Sequence, residues 1–198
     1  QSLMLFDGFF DLSNFTLHFW TGESDPEIAM GEPGVLHNHN IIGAVWNTLE
    51  LAFLSAVIAS LIGLLIAYIV VRKPNNHLAK LLDQVSFIPF LFPSIAFGAM
   101  YLTMFAEPNG PIPALYGTFT LLVLISVVNR LPYSVKTGVT AITQIGRELE
   151  EAAEVAGASW RQRFQKIVVP LASSGALTGM MVSFVGVMRE LSLIILLI

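Results

Sequence analysis

The chain has 198 residues, of which 55% are hydrophobic and 12% charged, with a mean hydropathy of +0.71. A soluble domain carries about 25% charged residues, so half that value with long uncharged runs excludes an ordinary soluble globular protein and points to a membrane. There is no cysteine, which excludes disulfides and thiolate metal sites, and the net charge of -4 means little because the charges are sorted along the chain.

Residues 1–45 carry Asp7, Asp11, Glu23, Asp25, Glu27 and Glu32 but no Lys or Arg, with short apolar pieces such as FTLHFW. They read as a connecting segment outside the membrane. The segment HNHN at 37–40, with His18 upstream, lacks a full ligand set at metal-site spacing and reads as loop polarity, so no metal is expected. The chain opens at Gln1 without a signal-peptide pattern and ends at Ile198 inside an apolar run, as a piece of a longer protein would.

Four uncharged runs follow. Leu51 to Val71 is long enough to cross a hydrocarbon core of about 30 Å. Gln84 to Ala106 contains Pro89 and Pro93, which kink a membrane helix or shape a broken helix lining a pathway. The third run lies between Pro113 and Asn129, and Asn129-Arg130 reads as an anchor at the headgroups. Val168 to Met188 is the fourth, with Pro170 near its first turn, where proline costs least. Arg189-Glu190 then interrupts it before LSLIILLI. Ionisable groups in a span are costly, so this pair is read either as part of a translocation path or gate, or as residues at the outer interface. Ser60 and Gly63 read as helix-packing positions.

The basic residues orient the runs. Arg72, Lys73 and Lys80 lie between runs one and two; Arg130, Lys136, Arg147, Arg161, Arg163 and Lys166 lie between runs three and four. The loop EPNGPIP after run two has none. The positive-inside rule therefore puts residues 1–45 and 107–113 outside, and 72–83 and 130–167 in the cytoplasm.

The stretch EEAAEVAGASWRQRFQKIVVP at 150–170 is the longest polar segment between runs. Thr143 to Ala156 is rich in helix formers, with acids near the helix start, and Gly157 suits a left-handed C-terminal cap. Ser159 and Gln162 have capping-box spacing for a second helix. Trp160, Phe164 and Ile167 fall on one face, away from Arg161, Arg163 and Lys166. The segment predicts a helix–turn–helix with an exposed knob of Glu148, Glu150, Glu151 and Glu154. Its basic and aromatic half suits lipid headgroups, but the four acids do not suit an anionic leaflet and favour docking to a protein.

Glu151-Ala152-Ala153, then Gly157, then Ile167-Val168-Val169-Pro170 resembles the EAA loop of inner-membrane permeases of binding-protein-dependent ABC importers, with Val169 where leucine is usual. RLPYSVKTG, FIPFLFPSIAFG and RELSLIILL extend the resemblance over residues 45–198, and ELEEAA and RELSLIILL look most like the ferric-iron-type permeases, in which two halves are often fused. The resemblance implies an all-α polytopic transmembrane bundle of the type I importer kind, with a permease domain at 46–198 that lacks its final helix or helices and a cytoplasmic coupling loop at 134–170. It also implies that Glu151, Ala152, Ala153, Gly157, Ile167 and Pro170 dock and couple to a cytoplasmic ATPase dimer. The further partners implied are an extracytoplasmic solute-binding protein, a second permease half and the lipid bilayer, but no nucleic acid. There is no G-x-x-x-x-G-K-[ST] motif and no catalytic triad or H-E-x-x-H, so the chain is read as a non-enzymatic transport subunit with no bound cofactor, ATP being held by the partner. The solute implied is ferric iron, with thiamine, polyamines, sulfate and phosphonates as other solutes of related permeases. An ion-coupled secondary transporter or channel needs intramembrane acids, which the runs lack apart from Glu190. A signalling linker needs sustained heptads, which Gly157 breaks.

Overall fold

The computed structural model describes residues 3, 14–26, 28–108 and 113–190. Most of EPNGPIP, all of LSLIILLI, and Asp7, Asp11 and Glu27 lie outside the described residues. The chain divides into two compact units, Gln1–Glu50 and Leu51–Ile198.

In the first unit the chain turns through α1 (His18–Thr21) and comes back on itself. The amides of Val35 and Leu36 donate to the carbonyls of Phe19 and Trp20 at 2.9 and 3.0 Å. The HNHN segment opens α2 (His39–Arg72). Asn38 Oδ1 accepts from the amides of Asn40 and Ile41 at 3.0 and 3.3 Å, an N-cap that satisfies two otherwise orphaned donors. His37 and His39 are exposed, and among the described residues no group of three His, Asp or Glu side chains could hold a metal ion.

In the second unit α2 buries Leu51, Ala52, Ser55, Ala56, Ala59, Gly63, Leu64, Ala67 and Tyr68, recurring every three or four positions. Small residues let a neighbouring backbone approach closely. A Cβ at Gly63 would lie 2.6 Å from Ser134 Cβ, so this helix crossing requires glycine. Ser60 Oγ donates to the Ala176 carbonyl at 2.9 Å.

After Arg72 the chain enters α3 (His77–Phe87), capped by Asn76, then a 3-10 turn at Ile88–Leu91 and α4 (Ser94–Phe105). The axes of His77–Leu91 and Ser94–Phe105 are bent by 106°. This exceeds a kink. Pro93 disfavours helical geometry at the preceding residue, and Phe92 is extended at φ -107°, ψ 138°. The broken pair still advances along α5 (Phe119–Thr143) from its late to its early turns. Lys136 Nζ lies 2.9 Å from Asp83 Oδ1, the Phe90 ring meets Tyr133 at 5.6 Å, and Phe97 and Phe105 cluster with Leu121 and Ile125.

The third run does not end at Asn129. α5 begins at Phe119, capped by Thr118, and continues through Pro132 to Thr143, so residues 134–143 belong to this helix. Hydropathy falls from Asn129 onward because Asn129, Arg130, Ser134 and Lys136 are polar or charged, yet Ser134 is buried and its hydroxyl lies 3.1 Å from that of Ser183. α8 (Val169–Met188) runs antiparallel beside α5, with Ile142 packed near Val168 and Ala172 at one end and Arg130 bonded to Gly186 at the other. Among the described residues, three helices are long and apolar enough to cross a membrane: His39–Arg72, Phe119–Thr143 and Trp160–Met188; the broken pair makes up to four. The bundle is all-helical and polytopic.

Candidate functional site

Between α5 and α8 the polar stretch forms two short helices at the basic end of the spans. α6 (Arg147–Val155) follows Gly146, with Glu148 and Glu150 in its first turn, where negative charge offsets the unpaired amides. It ends in a Schellman turn: the Ala158 amide donates to Ala153 O and the Gly157 amide to Glu154 O, both at 2.9 Å. Gly157 takes φ +85°, the left-handed region that glycine enters without a Cβ clash. α7 (Trp160–Arg163) opens with a complete capping box: Ser159 Oγ accepts from the Gln162 amide at 3.4 Å, and Gln162 Oε1 accepts from the Ser159 amide at 2.8 Å.

The four acids have three different environments. Glu150, expected in the exposed knob, is 6% exposed and turned inward. Its Oε2 accepts from the Tyr68 hydroxyl and its Oε1 from Arg72 Nε, both at 2.7 Å. Glu154 is ion-paired to Arg163, which is half-buried instead of pointing away from the fold. Glu148 and Glu151 are exposed with no partner among the described residues. The knob is therefore two free carboxylates over an internally neutralised base. Helical geometry explains the split. Glu150 and Glu151 are about 100° apart around the axis, so one faces α2 when the other faces solvent.

The reciprocal contacts between α2 and α6 were not readable from the segment alone. Arg72 Nη2 also donates to Ile145 O at 3.1 Å, and Arg147 Nη2 donates to Val71 O at 3.0 Å, a cation on the C-terminal carbonyls of α2. Trp160 and Phe164 stack at 5.4 Å, and Tyr68 meets both edge-on at 6.1 and 5.2 Å. Ile167 leaves this face. It lines a groove of about 420 Å³ with Ala153, Gly157 and Lys166. The reason is a π-helical stretch, Phe164–Val168, in which the Val169 amide donates to Phe164 O and the side-chain register rotates. Pro170, at the second position of α8, therefore lies within a helix that runs from Trp160 to Met188. The wide turn keeps its ring clear of the carbonyl four residues back.

On the surface of the loop, Glu151 and Ala152 are exposed and Ala153 is half-buried. Val155 is 91% exposed at the tip of α6. A groove of about 500 Å³ beneath α6 is lined by Lys73, Arg147, Glu151, Trp160 and the Tyr68–Arg72 side. The result is an apolar tip with a free carboxylate beside a mixed-charge groove.

The pathway candidates are not brought together. Pro89 and Pro93 break the α3–α4 crossing. Arg189 is exposed, and Glu190 bonds to Arg130 on α5, not to Arg189. Arg130 Nη2 donates to Glu190 Oε2 at 2.6 Å and to Gly186 O at 2.8 Å, so it is no headgroup anchor. It sits in the middle of α5, and its counter-ion is Glu190, two residues past the end of α8.

Comparison with known proteins agrees with the geometry. Residues 40–198 match the family model described as "Binding-protein-dependent transport system inner membrane component". The ferric transport system permease protein FbpB of Actinobacillus pleuropneumoniae is 28% identical over 178 residues, covering 88% of this chain and 25% of that protein. The sulfate transport system permease protein CysT of Salmonella typhimurium is 29% identical over 175 residues, covering 81% of this chain and 60% of that protein. The chain thus spans about a quarter of the ferric relative and under two thirds of the sulfate one. Among solved structures, the inward-facing MetNI methionine ABC transporter superposes with a TM-score of 0.62 at 20% identity, covering 74% of this chain and 69% of that one, a likeness of fold. With its helical bundle and its surface-exposed loop between α5 and α8, the chain belongs to the family of binding-protein-dependent transport system inner membrane components.

Proposed function

We propose that the chain is the permease subunit of an ABC importer, forming part of the solute pathway and receiving the ATP-driven movement of a separate cytoplasmic ATPase dimer through residues 144–170. The observation that carries this reading is the α6–α7 hairpin. Glu151 projects free from it, while Gly157 and the capping box fix its shape. Ala152 and Ala153 permit close approach of a partner, and Ile167 and Pro170 join the hairpin to α8. Charge at such a surface supplies orientation and specificity more than affinity. The membrane is a bacterial inner membrane, with 72–83 and the loop on the cytoplasmic side and residues 1–45 facing an extracytoplasmic binding protein. A second permease half completes the pathway. This chain itself binds no nucleotide and hydrolyses none.

The solute is ferric iron. Support comes from the ELEEAA and RELSLIILL segments and from the ferric relative; the sulfate relative favours an oxyanion as the second reading.

The test is copurification of the full-length protein with its ATPase, wild type against Glu151→Lys and Gly157→Trp, followed by uptake of ferric iron and sulfate. Loss of the ATPase from variants that still insert supports the reading. A wild type with no ATPase partner, or variants that import normally, would return the chain to the secondary-transporter class.

A further inference from the structure

The movement received by the hairpin has two mechanical exits. One is the continuous helix into α8. The other is the end of α2, where every contact is made across a long sequence separation. Glu150 is 6% exposed and carries both an ion pair and a hydroxyl donor. Arg72 adds a bond to Ile145 O, and Arg147 returns one to Val71 O. The Tyr68 ring packs against both aromatic residues of α7 and the adjoining turn. Charge-assisted hydrogen bonds of this length are short and directional, and with its side chains 11% and 8% exposed the pair is largely shielded from competing water. A surface ion pair would yield under load; this one is bonded to Tyr68 and Ile145, members of a cluster that also includes Leu64, Ala67 and Val168.

We infer that Glu150 is a positioning residue which, with Arg72 and Tyr68, locks the hairpin to α2, so that α2 and α8 move as one body when the ATPase shifts the hairpin. Adjacent glutamates divide the work. Glu151 faces the partner, and Glu150 holds the chain's own first span. The inference rests on the coupling-loop reading and adds the route by which displacement reaches α2.

The experiment uses the full-length protein in its complex with the ATPase, in membrane vesicles. Glu150→Gln keeps the shape and removes the charge. The expected result is retained ATPase binding, continued ATP hydrolysis and at least a 10-fold loss of solute moved per ATP. Arg72→Glu should behave alike, and the exchange Arg72→Glu with Glu150→Arg should recover transport to within about 3-fold of wild type. Normal coupling in Glu150→Gln, or no recovery by an inserted exchange variant, overturns the lock. A second measurement does not depend on the stability of these variants. Cysteines replacing Lys73 and Glu154, which line one groove and make none of the bonds between α2 and the hairpin, are joined by a short bismaleimide. A rigid α2–α6 unit keeps transporting when joined. Transport abolished by the link shows that the two must separate, and overturns the inference. If the wild type fails to retain an ATPase, the coupling reading itself fails, a result distinct from either of these.

Discussion

Arg130 and Glu190 are 60 residues apart in sequence and 2.6 Å apart in the structure, joining the middle of α5 to the far end of α8. Their side chains are 14% and 19% exposed, and Arg130 also holds Gly186 O. Removing one partner of a buried pair strands the other charge, at a cost of about 3–5 kcal/mol, whereas replacing both by apolar residues of similar volume is near neutral. Arg130→Met alone should therefore lower the melting temperature in detergent, on the order of 10 °C. Glu190→Met should do the same, and the double replacement should regain most of the loss. If the single variants melt with the wild type, the pair contributes nothing to holding α5 against α8.

The exposed part of the hairpin is shaped by backbone chemistry, which predicts small, separable effects. Gly157 at φ +85° lacks a Cβ, and adding one costs about 1–2 kcal/mol. Ser159→Ala removes an oxygen that accepts from the Gln162 amide and costs about 1 kcal/mol. Both variants should insert normally and show faster limited proteolysis at residues 156–160, Gly157→Ala more than Ser159→Ala. Equal resistance to wild type would mean that the turn is held by something other than its own caps.

The parts of the fold that sequence made readable are those governed by neighbours in the chain. Gly157 and the Ser159–Gln162 box depend on residues within a turn of one another, and their conformations follow from spacing. The break in the second run was signalled by Pro89 and Pro93, but its 106° size depends on packing against α5. What the sequence hid was set by distant partners. Glu150 looked like the other acids because Arg72 and Tyr68 lie about 80 residues upstream, and Arg130 looked like an anchor because Glu190 follows so much later. A hydropathy reading ends a span where polar residues begin; α5 continues because α8 supplies Ser183, and the residues just past it supply Glu190, to meet them.

The sorted charges make a labelling prediction. The 198 residues contain no cysteine, so single cysteines report without competition from this part of the chain. In sealed cells, a cysteine at Glu32 should react with an impermeant maleimide, while one at Glu151 should react only after the membrane is opened; both are exposed. Labelling of the Glu151 position in intact cells would invert the proposed orientation.

Pro170 supplies the last prediction. A proline within a helix lacks the amide that would bond to the carbonyl four residues back, and its ring crowds that carbonyl, here that of Lys166. The structure answers with the π turn at Phe164–Val168, whose extra residue turns Ile167 away from Trp160 and Phe164. Pro170→Ala restores the amide and removes the clash, so the π turn relaxes toward α-helical geometry, which rotates residues on its N-terminal side by about 100° relative to α8. Trp160 would then leave Tyr68, which it now meets edge-on at 6.1 Å. The expected outcome is a protein of equal or higher thermal stability, with red-shifted tryptophan emission and weakened coupling of ATP hydrolysis to transport. Unchanged emission and coupling would show that the π turn is held by the α6–α7 packing, not by the proline.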